Sequence, residues 1–239
     1  MQMEADKPKR IRRKKVDIEK AINKAAKEII LKKGFSGMAL LDLIKRAIIE
    51  PVTFYNRYKN QEEFYDNLVR EYDYWFNDII KTSSHNSCSK EGYLEIFKSL
   101  SDYLKDDTVM LELLRWEINE TNSVTRRTAM NREIQMLPLT HIYEKGFKDT
   151  GLDIVAISAL LMAGIYYMNL HRRCSPFCGI DLTKEDDRER IKRVLEQLAD
   201  ILFKAAENQK TVSDKRDVIA ERMRQKGICE EDIQFFLAD

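Results

Sequence analysis

The chain has 239 residues, of which 44% are hydrophobic and 34% are charged, so it is long enough to bury a substantial core. Only 8 Gly and 4 Pro are present, which leaves few turns for a sheet and favours long helices. The 4 cysteines are too few for a disulfide framework and lack the spacing of a zinc site. No apolar segment follows the N-terminus, which argues against a secretion signal, so we expect a cytoplasmic protein with reduced thiols.

The net charge of +1 conceals a division of charge along the chain. Residues 1–70 carry 17 Lys and Arg against 10 Asp and Glu, a net charge of +7, whereas residues 71–239 carry 24 against 30, a net charge of −6. A basic segment in front of an acidic one suggests that the N-terminal part meets a polyanion. Seven of the nine residues in Lys7–Lys15 are basic, and we expect residues 1–15 to form a disordered basic arm.

Three short helical patterns follow the arm. From Val16, apolar residues recur at helical spacing, and Gly34 marks the end of the first helix. The stretch GMALLDLIKRA predicts a second helix capped by Ser36, and Pro51 suits the first turn of a third. Because a short turn between the second and third helices is typical of a helix-turn-helix, we assign residues 16–60 to such a domain.

The rest of the chain predicts further helices. One long helix is expected from Gln61 to Ser83, and a kink is expected at Pro138. Further helices are predicted over about residues 90–105, 107–121, 126–147, 152–173 and 185–208. No strand alternation is present, so the predicted fold class is all-α. Residues 61–210 would form a helical body for ligand binding and dimerisation, and residues 211–239 an extension of two short helices around Gly227.

The stretch from Ile154 to Met168 contains 15 residues without a charge, fewer than the roughly 18–20 that span a bilayer. We therefore expect a helix buried on both faces and no membrane partner. The helix that follows has a single apolar seam, and two such helices would form a four-helix dimer interface with their copies. The residues predicted at this interface are Ala159, Ala163, Tyr167, Ile191, Leu195, Leu198 and Leu202.

The segments AAKEIILKKGF, LLDLIKRA and PVTFYNRYKNQEEF resemble, in this order, the DNA-binding region of the tetracycline-repressor-like (TetR) family over roughly residues 16–70. The resemblance implies that Thr53, Tyr55 and Asn56 face double-stranded DNA. Phe54 and Tyr58 are four residues apart and share the inward face. With the arm included, the predicted DNA-binding residues are Lys9, Arg10, Arg12, Arg13, Lys14, Lys15, Pro51, Thr53, Tyr55, Asn56, Arg57 and Lys59.

The chain departs from the family pattern at the edges of this match. Ile48 stands where the family usually has a small residue, most often glycine, and Gln61 replaces a frequent lysine that contacts phosphate. Leu40 and Leu41 occupy positions where polar or basic groups are common. The basic arm could supply the missing phosphate contacts, and this would steepen the salt dependence of binding. The alternative is that the head has lost DNA binding.

The resemblance also implies a homodimer that binds a pseudo-palindromic operator and releases it when the body binds a small-molecule effector, most simply as a repressor. Bulky side chains on helices that could line a cavity are Trp116, Tyr143, Phe147, Met162 and Tyr166. The three histidines lack catalytic partners at suitable spacing, and no nucleotide-binding glycine loop is present. We therefore predict neither an enzyme nor a cofactor. The alternative function is a dimeric helical interaction protein with an inactive head.

Overall fold

The computed structural model describes residues 14–82 and 88–237. The chain begins with α1 (Lys15–Lys33), α2 (Leu40–Ala47), α3 (Pro51–Tyr55) and α4 (Gln61–Val69), and a 3-10 turn, Arg70–Tyr72, follows. It continues with α5 (Trp75–Thr82), α6 (Lys90–Asp106), α7 (Thr108–Asn119), α8 (Ser123–Gly146), α9 (Ile154–His171), α10 (Glu185–Gln225) and α11 (Glu230–Leu237). The described residues contain no strand beyond one isolated bridge, so the predicted all-α fold is confirmed.

Contacts divide the chain into two compact units. Of the described residues, the head unit comprises those from Lys14 to Asp73 together with Asp107–Met130, and so contains α1 to α4, α7 and the start of α8. The body unit comprises Tyr74–Asp106 and the residues from Asn131 onward. The predicted boundary between residues 16–60 and 61–210 differs from this division into units, because α4 and α7 belong to the same unit as the first three helices. The single helix α8 belongs to both units.

The core of the head unit begins with the apolar face of α1, where residues such as Ile22 and Ile29 are buried at helical spacing. Gly34 ends this helix with a φ of 73° and donates its N–H to the carbonyl one turn earlier, as expected of a C-terminal glycine. The helix α2 starts behind Ala39, which offers no side-chain cap. The predicted capping by Ser36 is therefore wrong.

The long helix predicted from Gln61 is interrupted. It ends at Val69, and α5 starts only at Trp75 after the 3-10 turn. Tyr72 is buried in the head unit, whereas Trp75 is buried in the body unit. A 3-10 turn advances each residue by a larger angle than an α-helix does, so it redirects neighbouring side chains. Helical periodicity in the sequence did not predict that Tyr72 and Trp75 are buried in different units.

The core of the body unit forms where α6 packs against α10. Its buried side chains recur every three or four residues and include Tyr93, Ile96, Phe97, Leu100 and Leu104 of α6 with Leu195, Ala199 and Ala206 of α10. Ion pairs flank this contact: Lys90 lies 2.9 Å from Asp200, and Lys105 lies 3.1 Å from Glu185. The two helices are therefore held in register by an apolar seam with charged edges.

The C-terminal part of the chain differs from the prediction of two short helices around Gly227. The helix α10 continues without interruption for 41 residues, so the first of the two predicted helices is part of it. Gly227, with a φ of 76°, lies in the turn before α11. Ile233 of α11 is buried, and α11 packs on α10. The extension is thus a helical hairpin.

Among the described residues, α9 is the one helix long and apolar enough to cross a membrane by length and composition. In the single chain 17% of this helix is buried. A single chain therefore does not provide the burial of both faces of α9 that the sequence led us to expect. Leu160, for example, is 75% exposed. In the preceding helix, α8, Pro138 occupies the position where a kink is predicted and has no N–H to donate to the previous turn.

Ile48 ends α2 in the left-handed region, with φ 53° and ψ 54°, and its side chain is 74% exposed. A β-branched residue is strained in this conformation by about 1–3 kcal/mol, whereas glycine adopts it freely. We expect Ile48→Gly to raise the free energy of unfolding by about 1 kcal/mol in a urea titration, after the larger entropy of the unfolded glycine variant is included.

Val52→Gly is the matched control, because Val52 is also β-branched and exposed but lies in the regular helix α3. Glycine there should lower the free energy of unfolding by about 0.5–1 kcal/mol. Equal destabilisation by the two substitutions would contradict the assignment of strain to Ile48.

Candidate functional site

The short helix α3 has an inward aromatic face. Phe54 is fully buried and Tyr58 is nearly so. Both rings contact Phe64 of α4, with centroid distances of 5.5 and 5.1 Å, and lie 5.1 Å from each other. The inward orientation predicted for Phe54 and Tyr58 is confirmed. This cluster fixes a helix of five residues that would not be stable alone.

The opposite side of α3 and the turn after it face solvent. Tyr55 is 54% exposed, Asn56 and Lys59 are exposed, and Thr53 is half-buried. Pro51, at the start of the helix, is exposed as well. These side chains leave a surface with a hydroxyl, an amide and an ammonium group available to a partner.

Val52 is a further exposed residue of this surface, and sequence reasoning did not single it out. It lies three residues before Tyr55, so the two side chains are neighbours on the helix. The helical period of 3.6 residues, which places Val52 beside Tyr55, would have been the sequence signal for this exposed residue.

Arg57 lies differently from the other basic residues predicted at this surface. Its Nη1 donates a hydrogen bond to the carbonyl of Thr53 at 2.8 Å, and its Nε is buried without a partner among the described residues. The side chain thus folds back along α3. Lys14 and Lys15 are exposed at the start of α1, whereas Lys9, Arg10, Arg12 and Arg13 lie outside the described residues.

The start of α4 is fixed by a reciprocal cap. The Asn60 side chain accepts a hydrogen bond from the N–H of Glu63 at 2.8 Å, and the Glu63 carboxylate accepts one from the N–H of Lys59 at 2.7 Å. The first bond satisfies a donor that a helix N-terminus leaves free, and the second holds the residue before the cap. The cap therefore fixes the chain between α3 and α4.

Gln61 ties the same end of α4 to the loop between α1 and α2. Its Nε2 donates to the carbonyl of Met38 at 2.7 Å and to the hydroxyl of Tyr65 at 2.9 Å. That hydroxyl donates to the carbonyl of Phe35 at 3.0 Å. At this position the TetR family, which the head resembles, frequently has a lysine that contacts phosphate. In this chain the amide of Gln61 is instead hydrogen-bonded inside the head unit.

Trp116, predicted from the sequence to line a ligand cavity, lies in the head unit. Its ring stacks on Phe35 at a centroid distance of 4.9 Å and an interplanar angle of 5°, and it lies 5.1 Å from the Tyr65 ring. Its Nε1 donates to the Glu120 carboxylate at 2.8 Å. Trp116 thus packs α7 against the first helices and is absent from the body cavity described next.

The body unit contains a cavity of about 180 Å³ between α5, α6, α8 and α9. Of the residues predicted to bind a ligand, Tyr143 and Met162 line it, whereas Phe147 and Tyr166 do not. Phe147 instead packs on Phe203, with ring centroids 5.1 Å apart. The lining side chains are Phe76, Tyr93, Ile96, Phe97, Glu133, Met136, Leu139, Thr140, Tyr143, Ile154, Val155, Ser158, Ala159 and Met162.

Sequence reasoning missed the contribution of α6 to this cavity. Tyr93, Ile96 and Phe97 belong to the apolar stripe of that helix, which the sequence alone does not distinguish from ordinary core. Glu133 was missed as well. A single carboxylate on a long polar helix carries no signal until the fold places it beside apolar residues.

The residues predicted at a dimer interface fall into two groups. Ala163 and Tyr167 of α9 are exposed, and Ile191, Leu198 and Leu202 of α10 are half-buried. Leu195, however, is buried inside the body unit, whereas Ala159 is exposed and also lines the cavity. Val194 and Ile201 occupy the exposed side of α10 instead, and Ile201 is 63% exposed.

Arg127, near the start of α8, holds α4 and the turn after it. Its Nε lies 2.6 Å from one carboxylate oxygen of Asp66, and its Nη1 lies 2.6 Å from Asp73. Burial acts to raise the pKa of the Asp66 carboxyl, but Arg70 and Arg127 outweigh it and hold that pKa below its usual value. The same helix α8 carries Glu133 and Tyr143 to the cavity.

The elements together define an all-α protein with a helix-turn-helix head unit and a helical body unit. No known protein-family profile matches the chain, and no curated protein matches it. Among solved structures, the chain is similar to the transcriptional regulator FadR from Bacillus subtilis in complex with stearoyl-CoA, with a TM-score of 0.54 and 18% identity. The match covers 76% of this chain and 97% of that chain, and it shows that the two share a fold.

Removal of the Arg127 guanidinium leaves the Asp66 and Asp73 carboxylates without this partner. We expect Arg127→Met to lower the free energy of unfolding by about 1–3 kcal/mol at neutral pH in a urea titration. A carboxyl with a lowered pKa stabilises the fold above its unfolded pKa of about 3.9, and this contribution disappears as pH falls through the folded pKa. The difference from the parent protein should therefore shrink as pH falls from about 5 to 3.

Arg126→Met provides the control, because Arg126 is the exposed neighbour of Arg127 in α8. Its effect should stay within about 0.5 kcal/mol at every pH. A pH-independent loss of stability in Arg127→Met would mean that lost side-chain packing, and not the ion pairs, causes the effect.

Proposed function

We propose that the chain is a TetR-like, homodimeric, DNA-binding transcriptional regulator, most simply a repressor, whose body unit binds a small-molecule effector. The observation that carries this proposal is that α3 and the turn after it have a buried side and an exposed side. Phe54 and Tyr58 are buried against α4, while Tyr55 and Asn56 are exposed. A locked helix that presents polar and aromatic groups outward is what the major groove of DNA requires.

The base-contacting residues of the proposed interface are Val52, Thr53, Tyr55 and Asn56. An asparagine amide can bond adenine, while Val52 and the Tyr55 ring can contact thymine methyl groups. Lys59 lies at the end of this surface and would contact a phosphate. Because Arg57 and Gln61 are engaged within the head unit, the remaining phosphate contacts are assigned to Lys14, Lys15 and the basic residues before them.

The exposed faces of α9 and α10 support a homodimer. Leu160 and Ile201 are among the most exposed large apolar side chains of the body unit, and a soluble monomer seldom displays such a face. Along α10 the exposed residues Val194, Ile201, Val212 and Ile219 recur after 7, 11 and 7 residues, each close to whole helical turns. This line would extend the interface into the C-terminal half of α10.

Effector binding would be coupled to DNA through α8. Glu133, Met136 and Tyr143 of this helix line the cavity, and Arg127 belongs to an earlier turn of the same helix. Arg127 in turn holds Asp66 of α4. A shift of α8 on effector binding would therefore move α4, which carries Phe64 against the reading helix α3.

Selection of bound fragments from random double-stranded DNA tests this function directly. We expect the full chain to enrich a pseudo-palindromic site, because a symmetric dimer reads two half-sites. Failure to enrich any site at low salt would support the alternative of a dimeric interaction protein with an inactive head.

Substitutions on α3 test which residues read the enriched site. Tyr55→Ala and Asn56→Ala should each weaken binding to it by about tenfold or more while leaving non-specific binding unchanged. Lys59→Ala should weaken binding to all sequences and lower the salt slope by about 1 per head. Fluorescence anisotropy at several salt concentrations measures both quantities.

Tyr74→Ala and Asn119→Ala are matched controls, since both side chains are exposed and lie outside α3. Neither should change binding by more than about twofold. Equal losses from the control and the α3 substitutions would place the DNA contact elsewhere.

Ile201→Glu tests the dimer. A carboxylate introduced into the exposed apolar face of α10 should prevent association without disturbing the core, because the parent side chain is 63% exposed. Sedimentation should show a monomer, and binding to a palindromic site should fall by at least about 100-fold. Ile118→Glu, at an exposed isoleucine of the head unit, should remain a dimer. A dimeric Ile201→Glu protein would contradict the proposed interface.

A further inference from the structure

The body cavity is small and mostly apolar. Its volume of about 180 Å³ is close to that of an apolar protein cavity of about 150 Å³ that accommodates benzene. Phe76, Phe97 and Met136 are among the side chains that line it. A ligand that fills this space therefore has an apolar part about the size of a single aromatic ring.

Three of the hydroxyl groups around the cavity already have partners. The Ser158 hydroxyl donates to the carbonyl of Ile154 at 2.6 Å, so the Tyr93 hydroxyl, 3.0 Å away, donates to Ser158. The Tyr143 hydroxyl donates to the carbonyl of Ser89 at 3.2 Å. These three groups have no proton left for a ligand, which limits their ability to bind an anion.

Glu133 is the one charged residue in the described lining, and no Lys, Arg or His joins it there. It is exposed, so its carboxylate lies at the solvent side of the cavity, and no ion pair to another described residue is present. Thr140 lies on the same side of α8, about two turns further on. The cavity thus combines an apolar interior with a single negative group at its edge.

We infer that the ligand of this cavity is a small apolar amine, whose protonated nitrogen pairs with Glu133 while its apolar part fills the space between α6, α8 and α9. The inference rests on the proposed function and specifies its effector class. Carboxylates and phosphate-bearing ligands are disfavoured, because burying an anion beside Glu133 without a cation costs free energy. The ligand class therefore differs from the stearoyl-CoA bound to the structurally similar regulator.

Three probes with the same ring and chain test the charge preference: 2-phenylethylamine, 2-phenylethanol and phenylacetate. Calorimetric titration of the full-length protein should show that the amine binds about two- to fivefold more tightly than the alcohol, since the ion pair is partly exposed to solvent. Phenylacetate should bind at least about tenfold more weakly than the amine, and stearoyl-CoA should not compete. Added salt should reduce the advantage of the amine over the alcohol.

Glu133→Gln should abolish the preference for the amine, and Glu133→Lys should reverse it in favour of phenylacetate. Glu144→Gln is the matched control, because Glu144 is an exposed glutamate of α8 that does not line the cavity. It should keep the preference of the parent protein. Because Glu133 is exposed, these variants should unfold at the same temperature as the parent protein.

Several results would overturn the inference: no binding of any probe, equal binding of all three, tighter binding of phenylacetate or stearoyl-CoA, or an unchanged preference in Glu133→Gln. Binding of the protein to the selected DNA site is measured in parallel, in the absence of these three probes. A protein that binds DNA but does not prefer the amine refutes only the ligand class. A protein that prefers the amine through Glu133 but binds no DNA refutes the proposed regulator and retains the amine site.

Discussion

The burial of Phe54 between Tyr58 and Phe64 is the interaction on which the head unit depends. An isolated helix of five residues gains too few hydrogen bonds to offset the cost of ordering it, so α3 exists because its aromatic side packs against α4. The same packing decides which side chains remain outside. Tyr55 and Asn56 are exposed because their neighbours on the helix are buried, and the proposed reading surface follows from that division.

The head unit replaces several contacts that its resemblance would lead one to expect. Gln61 bonds Met38 and Tyr65 in place of reaching a phosphate, and Ile48 ends α2 in a left-handed conformation that favours glycine. Both departures concern the ends of helices, where backbone groups need partners or an unusual dihedral angle. The head unit therefore holds the ends of these helices by contacts that differ from those the resemblance implies.

The helix α8 contributes residues to both units. Its first part holds α4 through the pairs of Arg127 with Asp66 and Asp73, and its later part lines the cavity of the body unit. Under the proposed function, an effector that favours one position of α8 would act on α4 through these ion pairs.

The sequence by itself determined the all-α class, the three short helices up to Tyr55 and most later helices, because helical periodicity, glycine stops and the Phe54–Tyr58 spacing are local features. Tertiary structure decided the break after Val69, the placement of Trp116 in the head unit, and the meeting of Glu133 with the apolar side chains of α6 and α9. These depend on which helices pack together, and periodicity identifies an apolar face without identifying its partner.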